Sequence, residues 1–424
     1  MKKFIETIKN IWSIEDLRNR ILTTLLLVLI YRVGSYIALP GIDPNRLAAF
    51  AESSSKGILG LFNMFAGGSF SRASIFALGI MPYISASIAI QLLTIAVPYF
   101  QKLQKEGESG RKKINQYTRL LTVVVTAFQA SAYVAYLRQQ SGNAIIPDYG
   151  TFMFWLSTTV VLTAGTMFVM WLGEKITDKG IGNGTSIIIM VGILARLPQS
   201  LLQEFASRTA EGGGGLLKFL IEIAFFILIT VGLILLVQGT RKIPVNYAKR
   251  IVGNKQYGGV RQFIPLKVNA AGVMPIIFAQ AIMFIPATVI GFATNQDSAS
   301  GFVRIFSDHT NGYYNLIYCV LVVVFTYFYT ALIFNPKQMA EEMKRNNGFI
   351  PGVKPGDATA DYIGAVMDRI TLPGAFFLAA VGILPGVAAA LQINTNFATF
   401  FGGTSLLIMV GVIRIPCNRS KASC

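Results

Sequence analysis

An all-α, polytopic membrane protein is predicted for this 424-residue chain on three grounds. Hydrophobic residues make up 53% of it and charged residues only 13%, with a mean hydropathy of +0.55. A soluble domain of that length carries far more charge. Apolar runs also recur along the whole length, and most are long enough to cross a bilayer. A spanning helix needs roughly 20 mostly apolar residues, because in lipid the backbone satisfies its own hydrogen bonds only as a helix or a closed barrel.

That window gives about ten spanning helices, at 21–39, 73–97, 120–137, 152–172, 185–203, 216–237, 270–292, 313–334, 370–391 and 398–413. Ahead of them, Phe4, Ile5, Ile8, Ile11 and Trp12 share one helical face. Residues 1–20 therefore read as an amphipathic segment in the headgroup region rather than a cleaved signal peptide. Charge sets the orientation. Of the 37 Lys and Arg residues, 28 fall in the N-terminal segment, in alternate loops and in the tail; 7 lie in the loops between (Arg46, Lys56, Arg72, Arg138, Arg196, Arg208 and Arg304). The positive-inside rule makes the first set cytoplasmic, and both termini with it. The net charge of +17 is thereby assigned to topology and attraction to anionic lipid, not to a nucleic-acid sequence.

The glycine run Glu211–Leu216 divides the chain into a first half, 21–210, and a second half, 211–413. The second span of each half is interrupted by proline, Pro82 in one and Pro275 and Pro286 in the other. Paired interruptions of this kind point to two pseudo-symmetric, inverted five-helix halves with the working site between them. Two cytoplasmic loops, 240–269 and 335–369, are unusually long. The first has no acidic residue, and Tyr247, Tyr257, Phe263 and Phe349 stand among the basic residues of the two. Aromatic and Arg anchors favour a docking surface for a large cytoplasmic partner, against the blander reading of topology plus lipid attraction.

Motifs for bond-making chemistry are missing from the sequence. The glycine clusters lack the Gly-Lys-Ser/Thr of a nucleotide loop, and neither HExxH nor GxSxG occurs. His309 is the only histidine, and Cys319, Cys417 and Cys424 have no metal-ligand spacing. The expectation is a protein that is not an enzyme and holds no cofactor or metal. Arg32 is the one charge well inside a span and reads as structural, since its stem can snorkel; Glu222 sits near a span end, where snorkelling or a pairing with Lys218 at i, i+4 explains it equally well. Ser85, Ser87, Gln91, Gln129, Thr185, Ser186 and Gln280 are uncharged and suited to helix–helix hydrogen bonds. From span count and interrupted repeats alone a secondary transporter ranks first, but it requires coupling charges at the midplane that the spans do not offer.

Seven stretches resolve the choice: FNMFAGGSFSRASIFALGIMPYISASIAIQLL, EGESGRKKINQYTR, TMFVMWLGEKITDKGIGNGTSIII, VNYAKR, PLKVNAAGVMP, FIPGVKPG and FFGGTSLLI. Together, and in this order from Leu17 to about Val412, they resemble the SecY family, the channel subunits of the bacterial Sec protein-translocation complex. The resemblance implies a protein-conducting channel in the bacterial cytoplasmic membrane. Such a channel passes unfolded secretory polypeptides across the membrane and releases hydrophobic segments sideways, between the second/third and seventh/eighth spans.

The resemblance also implies residue roles. A plug at about 57–71 includes Leu59, Phe62, Met64, Phe65, Gly67 and Gly68, with the glycine pair as its hinge, and the segment from Arg72 onward forms one lip of the lateral gate. Ile80, Ile84, Ile189, Ile277 and Ile408 fall on the pore ring. Thr185 falls on its sixth place, where an aliphatic residue is usual. Ser85 and Gln129 fall at the lateral gate. Lys255, Arg261 and Lys354 fall in the docking site for the SecA motor and the ribosome, Lys354 standing where Arg is common. The implied partners are the small subunits SecE and SecG, SecA, the ribosome, signal peptides and nascent chains, with anionic lipid around them. The tail 414–424, RIPCNRSKASC, departs from the family's cytoplasmic helix, and Pro416 argues against one.

Overall fold

The computed structural model describes residues 13–43, 47, 63, 66–140, 145, 150–209, 215–247, 250–252, 255–257, 261–280, 282–283, 311–390, 393, 395–398, 400 and 405–411. Within them, six helices are long and apolar enough to cross a membrane, or seven when a bent helix pair counts as one span. The amphipathic segment 1–12, the tail, and the end of the expected seventh span after 283 lie outside the described residues.

The first span is α1, Glu15–Gly34. The second begins later than its hydropathy indicates. Residues 66–80 are turns, and the helix α2 runs only over Met81–Ala96, with Pro82 in its first turn. Pro82 lacks the N–H that an interior helical position needs but fits a first turn, where that N–H has no partner anyway. The turn segment is tied down on the far side of α1: Leu39 N–H donates to the Ala73 carbonyl at 2.9 Å and Ile75 N–H to that of Ile37 at 3.0 Å. At the other end Pro98 forces Val97 into an extended conformation (φ −109°, ψ 119°). The short helix α3, Pro98–Lys105, then turns 99° away from α2.

Helices α4, Glu108–Gln140, and α5, Thr151–Lys179, supply the third and fourth spans. The fifth span is broken in two, α6 at Gly184–Leu194 and α7 at Leu197–Thr209. Pro198 accounts for the break, since it has no N–H to give to the carbonyl four residues back, that of Leu194. Asn183 caps α6 by accepting from Ser186 N–H at 3.3 Å. The α5–α6 turn requires glycine: a Cβ on Gly184 would lie 1.9 Å from the Gly173 carbonyl oxygen. The sixth span is α8, Gly215–Gln238.

The first of the two long basic loops is not a loop. It folds as strands β1, Thr240–Tyr247, β2, Arg250–Val252, β3, Lys255–Tyr257, and β4, Arg261–Lys267. Antiparallel pairing of β1 with β4 and of β2 with β3 makes a long hairpin with a short one at its tip. In the second half, helical residues 274–280 belong to the expected seventh span, and α9, Gly312–Ile333, is the eighth. The second long loop contains α10, Pro336–Arg345, and β5, Gly348–Phe349, which pairs with β1. The ninth span, α11, runs over the 34 residues Asp357–Ala390. A single turn, α12 at Thr395–Ala398, and helical residues 405–411 complete the described chain.

Candidate conducting path and its lateral seam

The centre of the molecule is an apolar knot drawn from spans far apart in sequence. Ile80, just before α2, meets Ile189 on α6 and Ile408 in the last helical stretch, all three nearly without solvent exposure; Ile84 packs against them. Ile84 reaches a second cluster as well, in which Ile277 takes part. Five of the six positions expected to form the ring are thus joined through Ile84. Branched aliphatic side chains packed this closely leave little for water to hydrogen-bond, the condition under which a constriction dewets. The sixth position differs. Thr185, one turn before Ile189, gives its hydroxyl to Asn183 Oδ1, and its methyl lies against Gly173 on α5.

Beside this knot lies a seam between the halves, here called the front. On one side is α2, with Ile84, Ile88 and Gln91. On the other are Phe278 and Ile277 of the seventh span and Phe325 and Tyr329 of α9. Phe278 stacks against both aromatic neighbours, with ring centroids 5.6 Å apart in each case. Among the described residues one hydrogen bond crosses the seam, from the Tyr329 hydroxyl to Gln91 Oε1 at 3.2 Å. Ser85 turns back on its own helix and donates to the Met81 carbonyl at 3.2 Å. Gln129, on α4, is half-buried, and its amide oxygen is buried without a hydrogen-bond partner.

The halves meet again at the rear, where α7 and α8 pack along each other. Arg208 lies between Glu204, one turn earlier on α7, and Glu222 on α8, with nitrogen–oxygen distances of 2.8 and 2.7 Å. The three side chains are 0–7% exposed. Glu222 therefore pairs with Arg208 and not with Lys218, because the helix hairpin brings the guanidinium to it. Phe205 and Phe219 stack edge to face beside them, and Phe226 meets Phe397 of α12.

Of the expected plug, Leu59, Phe62, Met64 and Phe65 lie outside the described residues. Its C-terminal root is described. Gly67 and Gly68 both have positive φ (62° and 86°), a region that favours glycine. Gly68 N–H donates to the Asn63 carbonyl at 2.8 Å, and Ser71 N–H to Asn63 Oδ1 at 3.1 Å. Arg32 has a structural place: it lies 5.6 Å from the Tyr36 ring centroid and donates to the Gly67 carbonyl. Burial pushes the Arg72 guanidinium below the ordinary arginine value; Tyr36 opposes that shift and Arg32 adds to it.

These features have counterparts in known proteins. The SecY family model matches residues 74–414. A protein translocase subunit SecY of Streptomyces scabiei is 42% identical over 408 residues, covering 94% of this chain and 92% of that protein. Its Aquifex aeolicus counterpart is 41% identical over 414 residues, covering 96% and 94%. The chain belongs to the SecY family. The fold agrees. A structure described as that of a protein conducting channel superposes with a TM-score of 0.65 at 17% identity, covering 96% of this chain and 93% of that one. Sec61 in the canine ribosome-channel complex superposes with a TM-score of 0.63 at 15% identity, with the same coverage.

The family's fold, two inverted five-helix halves around a pore, is the frame for the strands of the two long loops. The three-stranded sheet has the order β4-β1-β5, so the two long loops form one folded unit. Arg261, Asn246 and Phe349 occupy one row across it. Ile243, Val245, Leu266, Met343, Ile350 and Met367 make a core beneath that row. Lys354 is exposed just beyond β5, and Lys255 sits in β3 at the hairpin tip. Sequence reading missed Tyr329 as the partner of Gln91, the charge network of Arg208, and Arg196 beside the plug root. Only Gln91 carried a signal, as a polar residue in an apolar span; the others depend on tertiary neighbours.

Proposed function

We propose that the chain is the protein-conducting channel of a membrane translocase, idle and closed in this conformation. The observation that carries the reading is the convergence of Ile80, Ile84, Ile189 and Ile408 from separate spans into one apolar knot. Such a ring excludes ions, yet offers no hydrogen bond to hold a moving polypeptide. The plug, 57–71, closes the path on the extracytoplasmic side. Ser85 and Gln129 flank the lateral gate, through which hydrophobic segments leave for lipid. In this reading the chain is a conduit rather than an enzyme, both termini are cytoplasmic, and 21–210 and 211–413 move as the two jaws.

The folded cytoplasmic unit, with Lys255, Arg261 and Lys354, is the docking site for a SecA motor or a ribosome. A neighbour captured in a ribosome–channel complex supports the second. SecE and SecG are the expected membrane partners. A transporter is disfavoured because the described spans place no coupling charge beside the ring.

The test uses the purified complex in vesicles. Unfolded secretory polypeptide is expected to enter only when SecA and ATP are supplied, and Ile84→Ser with Ile189→Ser is expected to let ions leak from the idle vesicles. Tight vesicles with lost transport in the double variant would reassign these isoleucines to ordinary packing.

A further inference from the structure

Three arginines that the conducting path does not use converge on the root of the plug. Arg32 comes from the last turn of α1, Arg72 from the turns before α2, and Arg196 from the break between α6 and α7. Arg32 Nη1 and Arg72 Nη2 both donate to the Gly67 carbonyl oxygen, at 3.4 and 3.0 Å. Arg196 Nη2 donates to Ser71 Oγ at 3.2 Å. A Cβ on Gly68 would lie 3.0 Å from Arg196 Nε and 3.2 Å from Arg72 Nη2, so two guanidiniums close over the backbone there. A Cβ on Gly67 would lie 2.9 Å from Gly192 Cα, so the root is also wedged against α6.

Among the described residues no carboxylate forms an ion pair with any of the three. Like charges gathered this closely repel one another. What they share is a set of acceptors on one short strand, together with the Tyr36 ring, 4.3 Å from Arg72. Arginine suits this task, since its planar fork offers several donors in fixed directions and keeps its charge when partly buried.

We propose that Arg32, Arg72 and Arg196 are positioning residues for the plug, a clamp that pins Gly67–Ser71 to the first and fifth spans in the idle channel. The glycine pair is then a fixed root, and the plug leaves from it without swinging there as a free hinge. The inference rests on the plug reading above, and the experiment separates the two.

Idle ion efflux is measured from vesicles holding the intact complex, for Arg72→Gln and Arg196→Gln, each with the plug present and with Leu59–Gly68 deleted. The deletion alone is expected to raise the leak; if it does not, the plug reading fails whatever the arginines do. With the plug present, each substitution is expected to raise the leak on the order of tenfold, the weight of one charge-assisted hydrogen bond. In the deleted background the same substitutions are expected to add nothing, because the Gly67 carbonyl is gone and the remaining Arg196–Ser71 contact no longer holds a plug in place. A leaking deletion beside tight arginine variants overturns the clamp. So does an equal effect in both backgrounds, which would make the arginines general scaffold. If an arginine variant fails to accumulate, Ser71→Ala removes the acceptor of Arg196 without touching a charge and carries the same two-background test.

Discussion

At the front, α2 meets the seventh and eighth spans through isoleucines, three aromatic rings and the Tyr329–Gln91 hydrogen bond. At the rear, α7 and α8 run against each other with the Glu204–Arg208–Glu222 network buried between them. Apolar contacts are non-directional and are regained, in large part, when lipid or a hydrophobic segment replaces the neighbour. A buried charge network behaves differently, because separating it strands ions in a medium of low polarity. In the proposed channel this asymmetry would let the two jaws part at the front while the rear stays shut, because the front can exchange partners and the rear cannot.

The largest expected effect therefore comes from the rear. Arg208→Met leaves two buried carboxylates without their cation and should destabilise the complex by about 3–5 kcal/mol, read as a lowered thermal unfolding transition. Replacing all three residues together, as Glu204→Leu, Arg208→Met and Glu222→Leu, should recover most of that loss, since well-packed apolar side chains often match or exceed a buried ion network. Recovery in stability would then permit a sharper comparison. Spin labels at Leu202 and Leu217, both exposed on the rear helices, should report a fixed separation in the parent complex during translocation and a broadened one in the triple variant. A separation that stays fixed without the charges would show that the hairpin connection, not the network, holds the rear.

The front should yield to a smaller change. Tyr329→Phe keeps the ring and its packing on Phe278 but removes the bond to Gln91 across the seam. A neutral hydrogen bond contributes about 0.5–1.5 kcal/mol, all of it to the closed state here. The open fraction should rise by a factor of about 2 to 12, seen as lateral release of segments that the parent retains. An unchanged release threshold would mean that packing alone sets the closed state of the front.

Much of this architecture was legible in the sequence because bilayer thickness leaves little choice: a long apolar run must be a helix, and basic loops mark one side. The boundaries were less legible where proline or glycine acts. Hydropathy alone carried the second span back to residue 73, but the turns at 66–80 are held by hydrogen bonds to 37–39, which no periodicity announces. The β4-β1-β5 sheet was hidden for a similar reason. β1 alternates poorly, and its second partner, β5, is two residues long and about a hundred positions away. The ring isoleucines could be named only through the family resemblance, since a single Ile in a span looks like any lipid-facing residue. The arginines at the plug root and the network around Arg208 were readable as charges but not as neighbours.

The smallest expected effect concerns Gln129, placed at the gate by the resemblance but seen to have a buried amide oxygen with no partner. A buried acceptor left unsatisfied carries a penalty of about 1–3 kcal/mol, reduced here because the residue is only half-buried. Gln129→Leu should therefore stabilise the idle complex by about 1 kcal/mol, measured as a raised unfolding transition. The consequence for the front depends on what the amide meets when the gate opens. If it finds a partner in the open state, its removal favours closure twice over, and segments of marginal hydrophobicity should no longer be released. If it stays unpartnered, stability rises while the release threshold stays where it was. Gln91, which has its partner in the closed state, should show the opposite sign: Gln91→Leu breaks the bond to Tyr329 and should lower the threshold. Opposite shifts from two Gln→Leu changes on adjoining helices would show that the front is poised between alternative hydrogen-bond partners, and equal shifts would reduce both residues to their hydrophobicity.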